Sequence, residues 1–251
     1  MFEKIEKIHY TSTSSTMDFV DNSKKALDPG TVYRVSADYQ SAGRGQFKRS
    51  FVAVEKKSLL TSYIFSLQLF KSAPTALFIE IAALTLTTLL KNLKINARIK
   101  WPNDILIHHS KIGGLLGKIT EKDQISWFNL GIGLNVNLNH EELKTIPTQA
   151  TSILLETGTS HPIDLLQTQL DNAILKALNT FLLEGFAPFF TSFNFAFILT
   201  NKEVQGTYQN KSFSGLCLGL SSLGLVLIQD KKNGKISELN PGQVQDLTAI
   251  D

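Results

Sequence analysis

The chain has one cysteine, Cys217, among its 251 residues. An intramolecular disulfide is therefore excluded, and so is any metal site built from cysteine pairs. A reducing compartment fits this usage, and the expected location is the cytoplasm. Histidine is also sparse. His9, His108, His109, His140 and His161 have no metal-ligand spacing, and the adjacent His108 and His109 read as surface residues on a turn. The formal charge is only +3, and no basic and aromatic stripe marks the chain as a nucleic-acid binder. No apolar run is long enough to span a membrane. The longest, Ala76 to Leu90, carries Glu80 and several threonines and reads as a buried helix. Met1 to Tyr10 alternates charged and apolar residues and lacks the core of a signal peptide. No arginine follows Arg98.

The little charge there is gathers in one place. Between Gly43 and Lys57 stand Arg44, Lys48, Arg49, Lys56 and Lys57 against the single acid Glu55. Gly43 and Gly45 flank Arg44, and glycine lets a backbone come close to a ligand. Arginine offers a planar fork that matches carboxylate and phosphate oxygens. Such a loop suits a phosphate, but by itself it equally suits a solvated basic hairpin. Two other glycine motifs fail as nucleotide signatures. Gly113 to Lys118 has three residues between its outer glycines and Ile119 in place of the P-loop Ser or Thr. Gly131-Ile132-Gly133 lacks the third glycine of a dinucleotide fingerprint.

Periodicity predicts a first helix over Ser15 to Leu27, strands over Thr31 to Tyr39 and Ser58 to Leu69, and a helix from Ser72-Ala73-Pro74 to about Leu93. Strands are expected over Ile95 to Lys100 and Ile125 to Val136, with a hairpin of Ile105 to His108 and Ile112 to Thr120 across His109-Ser110 between them. A second long helix is expected over Ile163 to Leu183, behind Pro162. Beyond about Thr200 the pattern changes to short β-like runs. They are broken by Asn210-Lys211, Ser221-Ser222, Asn233-Gly234 and Pro241-Gly242. Four or five strands in this stretch imply a small barrel or sandwich, so the expected division is 1–200 and 201–251.

Four segments, in order, carry a resemblance. They are Gly43-Arg44-Gly45, Lys100-Trp101-Pro102-Asn103-Asp104, Lys111-Ile112-Gly113-Gly114-Leu115-Leu116 and Gly131-Ile132-Gly133-Leu134-Asn135. With these the chain resembles the biotin protein ligases from about Ser15 to its C-terminus, and the five-residue Lys-Trp-Pro-Asn-Asp match is complete. The resemblance implies an α/β fold, with a mixed central β-sheet flanked by helices, like the class II aminoacyl-tRNA synthetases. It also implies a small C-terminal SH3-like β-barrel. The implied substrates are biotin and ATP with magnesium, and the implied partner is a biotin carboxyl carrier protein domain, as in acetyl-CoA carboxylase. A monomer or weak homodimer is expected. The first motif begins too near the start for a preceding winged-helix domain, so operator binding is not expected.

Roles follow from the same resemblance. Arg44, Arg49, Lys100 and Lys111 are the expected catalytic cations, with Lys111 and Arg44 on the biotin carboxylate. Ser15 and Thr16 are expected on the ureido ring, although Thr13 and Ser14 compete for that register and an N-cap is the alternative for either residue. Gln40, Gly113 and Gly114 complete the biotin set. Gly43, Gly45, Gln46, Phe51, Asn103 and Asn135 are expected on the adenylate, and Asp104 is the expected magnesium ligand. The family's second loop arginine is replaced by Gln46. Gly117 and Lys118 stand where valine and glutamate are common, and the usual C-terminal arginine is absent. A lipoate-type ligase of the same fold and a non-catalytic carrier-binding protein are the competing readings.

Overall fold

The computed structural model describes residues 1–45, 50–70, 73–240 and 243–250. Its elements, in order, begin with strand β1 (Ile5–Thr13), a 3-10 turn (Thr16–Asp18) and the short helix α1 (Phe19–Asn22). There follow β2 (Val32–Gln40), β3 (Ser58–Ser66), α2 (Ala76–Asn92), β4 (Arg98–Lys100), β5 (Asp104–Ile107), β6 (Ser110–Lys122) and β7 (Ile125–Asn135). Helices α3 (His140–Leu143), α4 (Ile153–Thr157), α5 (Ile163–Glu184) and α6 (Ala187–Ala196) come next. Strands β8 (Lys202–Tyr208), β9 (Lys211–Leu220), β10 (Val226–Gln229), β11 (Ile236–Leu239) and β12 (Val244–Ala249) end the chain.

The first seven strands form one sheet in the order β1-β2-β3-β7-β6-β5-β4. β1 and β2 run parallel and the other neighbours antiparallel, so the sheet is mixed. Side chains alternate across a strand, which gives the sheet two faces of different character. Leu59, Tyr63 and Phe65 of β3 and Phe128, Leu130, Ile132 and Leu134 of β7 pack with Phe78, Ile81 and Leu86 of α2 and Leu170 and Ile174 of α5. This is the main core. The opposite face holds a smaller cluster of Val20, Leu27, Tyr33, Val35, Ile64 and Trp127. Beside that cluster the same face is lined with glycine and small polar residues, and there the candidate site lies.

The last five strands form a second, antiparallel sheet in the order β11-β10-β9-β8-β12. Its Val204, Cys217, Leu220, Val226 and Ile228 belong to the same core cluster as α2 and α6. Asn194 of α6 fastens it, accepting from Leu220 N at 2.7 Å and donating to Leu220 O at 3.3 Å.

The expected elements are found with some corrections. The predicted helix over Ser15 to Leu27 is one 3-10 turn and one helical turn, because Ser23 is extended (φ −67°, ψ 122°) and Thr16 is drawn to the sheet. β1 and α6 lie outside the predicted elements. β1 is an edge strand with only its Ile5, Ile8 and Thr13 positions half-buried, too few to show a period. α6 is phenylalanine-rich and low in strong helix formers, and its start is marked by proline in the first turn. The hairpin between β5 and β6 turns at His108-His109, not at His109-Ser110, with His108 at φ 52°.

Candidate functional site

Cross-strand register places Ser58, Leu60 and Ser62 of β3 opposite Asn135, Gly133 and Gly131 of β7, and so on the same face. From β6, Gly114, Leu116 and Lys118 stand opposite Gly133, Gly131 and Asn129. Along β7 the face therefore reads Asn129, Gly131, Gly133, Asn135: two asparagines bracketing two glycines. Each asparagine donates its amide to the protein. Asn135 Nδ2 reaches Thr151 O at 3.0 Å, and Asn129 Nδ2 reaches Thr120 Oγ1 at 3.3 Å. Their Oδ1 atoms, and Ser58 Oγ, are buried without a partner among the described residues. Unpaired buried acceptors are costly, so a row of them on one face suggests a ligand donor.

The glycines make a floor, and in this structure the chain itself covers it. A Cβ on Gly131 would stand 2.6 Å from Met17 Sδ, and one on Gly133 would overlap the Phe51 ring. An open cleft of about 850 Å³ adjoins the Ser58 end of this face at the start of α5, lined by Arg34, Asp38, Ser58, Leu60, His161 and Asp164. It includes none of the expected site residues. Gly133→Ala is expected to lose about 1–3 kcal/mol by overpacking against Phe51. In a Phe51→Ala background the loss should largely vanish. Urea melts of the four proteins form the cycle, and an equal cost in both backgrounds would place Phe51 elsewhere.

One end of the floor is built by Thr16 and Gln40. Thr16 N and Thr16 Oγ1 donate to Gln40 Oε1 at 2.7 and 3.1 Å, and Thr16 Oγ1 shares a 2.7 Å bond with Ser62 Oγ. The backbone N–H can only donate, so the Gln40 oxygen must face it. Ser15 is the N-cap, its Oγ accepting from Met17 N at 3.3 Å. The capping and floor roles thus divide between the two residues. Ser62 is missing from the sequence-based set. Its signal was the spacing of Ser58, Ser62 and Ser66 along one face of a wholly buried strand.

Arg44 lies on the same side, paired with Asp18 through both guanidinium NH groups at 2.5 and 2.9 Å. The ends of its loop cross closely. Phe51 N donates to Gly43 O at 3.0 Å, and a Cβ on Gly43 would stand 2.5 Å from Phe51 O, so only glycine fits there. Arg44 bridges to Ser50, with Gly45 next along the loop. Gln46 and Arg49 lie outside the described residues.

At the other end Lys111 Nζ pairs with Asp104 Oδ1 at 2.5 Å, and its side chain lies over Gly114. The Lys111 backbone bonds to Gln149 O and Thr151 N, the same short segment that Asn135 holds. Gly113 turns to the other face, where a Cβ would stand 2.9 Å from Gly133 O. Asn103 donates Nδ2 to Leu115 O at 3.0 Å and so ties β5 to β6. Lys100 is exposed with no ion-pair partner among the described residues, and Trp101 is buried, its Nε1 3.4 Å from Glu80 Oε1.

Two of the unusual residues have local partners. Lys118 Nζ reaches Asp21 Oδ2 at 2.6 Å, and Gly117 makes room for the Phe128 ring and Ile79. Asp104, the expected magnesium ligand, is the carboxylate at this end of the floor. Its oxygen is already paired with an ammonium, and no group of three potential ligands gathers among the described residues.

The site is thus a glycine floor on the antiparallel strands β3, β7 and β6 of an α/β protein, with cations at its rim and unpaired acceptors along it. The model of the biotin/lipoate A/B protein ligase family matches residues 10–137. The chain belongs to that family. It is 26% identical over 194 residues to the bifunctional ligase/repressor BirA of Escherichia coli, covering 77% of this chain and 60% of that protein. It is 30% identical over 131 residues to the chloroplastic biotin–protein ligase 1 of Arabidopsis thaliana, covering 49% and 34%. The chain thus spans about 60% of the length of the bacterial relative. Its fold is that of the Aquifex aeolicus biotin protein ligase solved with biotin and ATP. That match has a TM-score of 0.82 at 23% identity over 98% of this chain and 99% of the other. The Leishmania major enzyme solved with biotinyl-5-AMP matches at 0.56 and 22%, over 95% and 99%.

Proposed function

We propose that the chain activates biotin with ATP and transfers it to a lysine of a biotin carboxyl carrier protein domain. The observation that carries this reading is the floor itself, with the Lys111 ammonium at one end and the Thr16–Gln40 pair at the other. A small molecule with a polar ring at one end and a carboxylate at the other matches that layout. The family membership and the biotin-ligase names of the relatives support it.

In the first step a biotin carboxylate oxygen attacks the α-phosphorus of ATP, and pyrophosphate leaves. In the second the carrier lysine's amine attacks the acyl carbon, AMP leaves, and the amine's proton is lost. Both steps gather negative charge at one centre, so fixed cations contribute most. Lys111 and Arg44 meet the carboxylate and the α-phosphate, with Arg49 and Lys100 as further cations. Thr16, Gln40 and Ser62 hold the ring, and Asn135 Oδ1 accepts from the adenylate. The glycine floor lets the ligand lie against backbone. Magnesium belongs to this reading as the ion that accompanies ATP, and no step is assigned to a metal on Asp104. Residues 201–251 are read as an SH3-like unit facing the carrier domain.

The test is release of pyrophosphate from ATP with biotin, read beside thermal melts with biotin and with lipoate. Biotin at 100 times its dissociation constant should add about 2.7 kcal/mol of stability. Pyrophosphate release with lipoate alone would favour the lipoate-type reading. Binding of biotin without any release would favour a non-catalytic protein.

A further inference from the structure

The 3-10 turn Thr16–Asp18 makes three contacts at the site with three consecutive residues. Thr16 bonds to Gln40 and Ser62, Met17 lies over Gly131, and Asp18 holds Arg44. The last contact has a specific form. Each Asp18 oxygen takes one guanidinium nitrogen, at 2.5 and 2.9 Å, and Ser14 Oγ donates to Asp18 Oδ2 at 3.1 Å. This is the forked geometry with which an arginine binds the carboxylate or phosphate of a ligand. Asp18 has no part in capping α1, because its side chain makes no cap hydrogen bond. The acid three residues on, Asp21, pairs through one oxygen with Lys118 of β6. This stretch of chain therefore brings its own thioether to the floor and its own carboxylate to the rim cation.

We propose that Asp18 is a positioning residue of this site. It holds Arg44 in place in the free chain as a stand-in for the substrate's anion, and gives it up when that anion arrives. The inference rests on the reading of Arg44 as an anion ligand. A guanidinium has five donors and Asp18 uses two, but the pair carries no net charge, so an incoming anion gains little from Arg44 until the exchange occurs. Asp18 thus has two opposed effects. It orders the start of the cationic loop without ligand, and it competes with the ligand for the cation.

The experiment uses the full chain as wild type, Asp18→Asn and Asp18→Glu. Asparagine keeps the shape and removes the charge, while glutamate keeps the charge. The first readout is ligand-free hydrogen exchange of the amides at 43–45, and the second is biotin affinity by calorimetry. Asp18→Asn should speed the exchange and tighten biotin binding by roughly two- to fivefold, the range a partly exposed ion pair provides. Asp18→Glu should stay near wild type in both. Exchange at the wild-type rate in Asp18→Asn, or weaker biotin binding by that variant, would overturn the proposal. A wild type that fails to bind millimolar biotin would refute the functional reading instead. The pairing would then be judged on the exchange data alone.

Discussion

Replacing Lys111 with alanine is expected to lower the rate of biotin-dependent pyrophosphate release by about 10²–10³. ATP binding should change much less. The ammonium stands over Gly114 at the end of the floor, and its side chain is only 29% exposed. In the proposed reaction it meets an oxygen whose charge moves during the first step, so its contribution is expected to be larger in the transition state than in the ground state. The substitution also leaves Asp104 without its cation, which adds a like charge beside an incoming carboxylate. Steady-state kinetics with biotin and ATP varied separately distinguish the effects. A loss confined to kcat fits the assignment, and a near wild-type kcat transfers the role to Arg44 or Lys100. The double variant Lys111→Ala/Asp104→Asn reports the share due to the exposed carboxylate.

The second large effect is on stability. Glu80 of α2 is 1% exposed, and burial pushes its carboxyl up to about 8 from an ordinary 4.5. The Trp101 indole, at 3.4 Å from Oε1, opposes that rise only in part. On the other side Gly224, in the turn between β9 and β10, closes in at φ 75°, where a Cβ would stand 2.8 Å from Oε2. The folded chain therefore keeps this proton between about pH 4.5 and 8, while the unfolded chain releases it. The unfolded state binds fewer protons in that window, so stability falls as pH rises through it. It is highest below 4.5 and levels out above 8 as far as this group is concerned. The expected fall is a few kcal/mol, or roughly 10 °C in melting temperature for a chain of this size. Glu80→Gln keeps an acceptor for Trp101 and carries no charge. It should flatten the decline and melt higher than wild type at pH 9. Parallel melting curves of the two proteins from pH 5 to 9 would show that Glu80 is not the group responsible.

The same carboxyl illustrates how unevenly the structure can be read from the chain. Glu80 stands in the sequence as one polar residue in an apolar run, and the run was legible as a buried helix. Nothing nearby in sequence says that Gly224 would seal it in. The site divides similarly. Lys111, Gly114, Thr16, Gln40 and Asn135 were found through their motifs, and the fold brings all of them to one floor or its rim. Gly113 and Asn103 come from the same motifs but spend their contacts on strand packing and on a backbone carbonyl. Asp18, Met17, Ser62 and Asn129 belong to no motif. Their part in the site depends on which face of a strand they occupy and on what lies across from them.

What the sequence determined by itself is local or short in range. The helical period of α2 and α5, the turn signals of the last fifty or so residues, and the Lys-Trp-Pro-Asn-Asp run are written in neighbouring residues. Propensity and patterning act over such distances. The tertiary structure decided how separate segments meet. Examples are the parallel pairing of β1 with β2, the side of β7 that Gly131 and Gly133 show to Met17 and Phe51, and the bond from Asp18 to Arg44 across 26 residues. Such contacts follow from strand register. In a strand a shift of one residue sends every side chain to the other face, so register is settled by the assembled sheet and core and not by any local pattern.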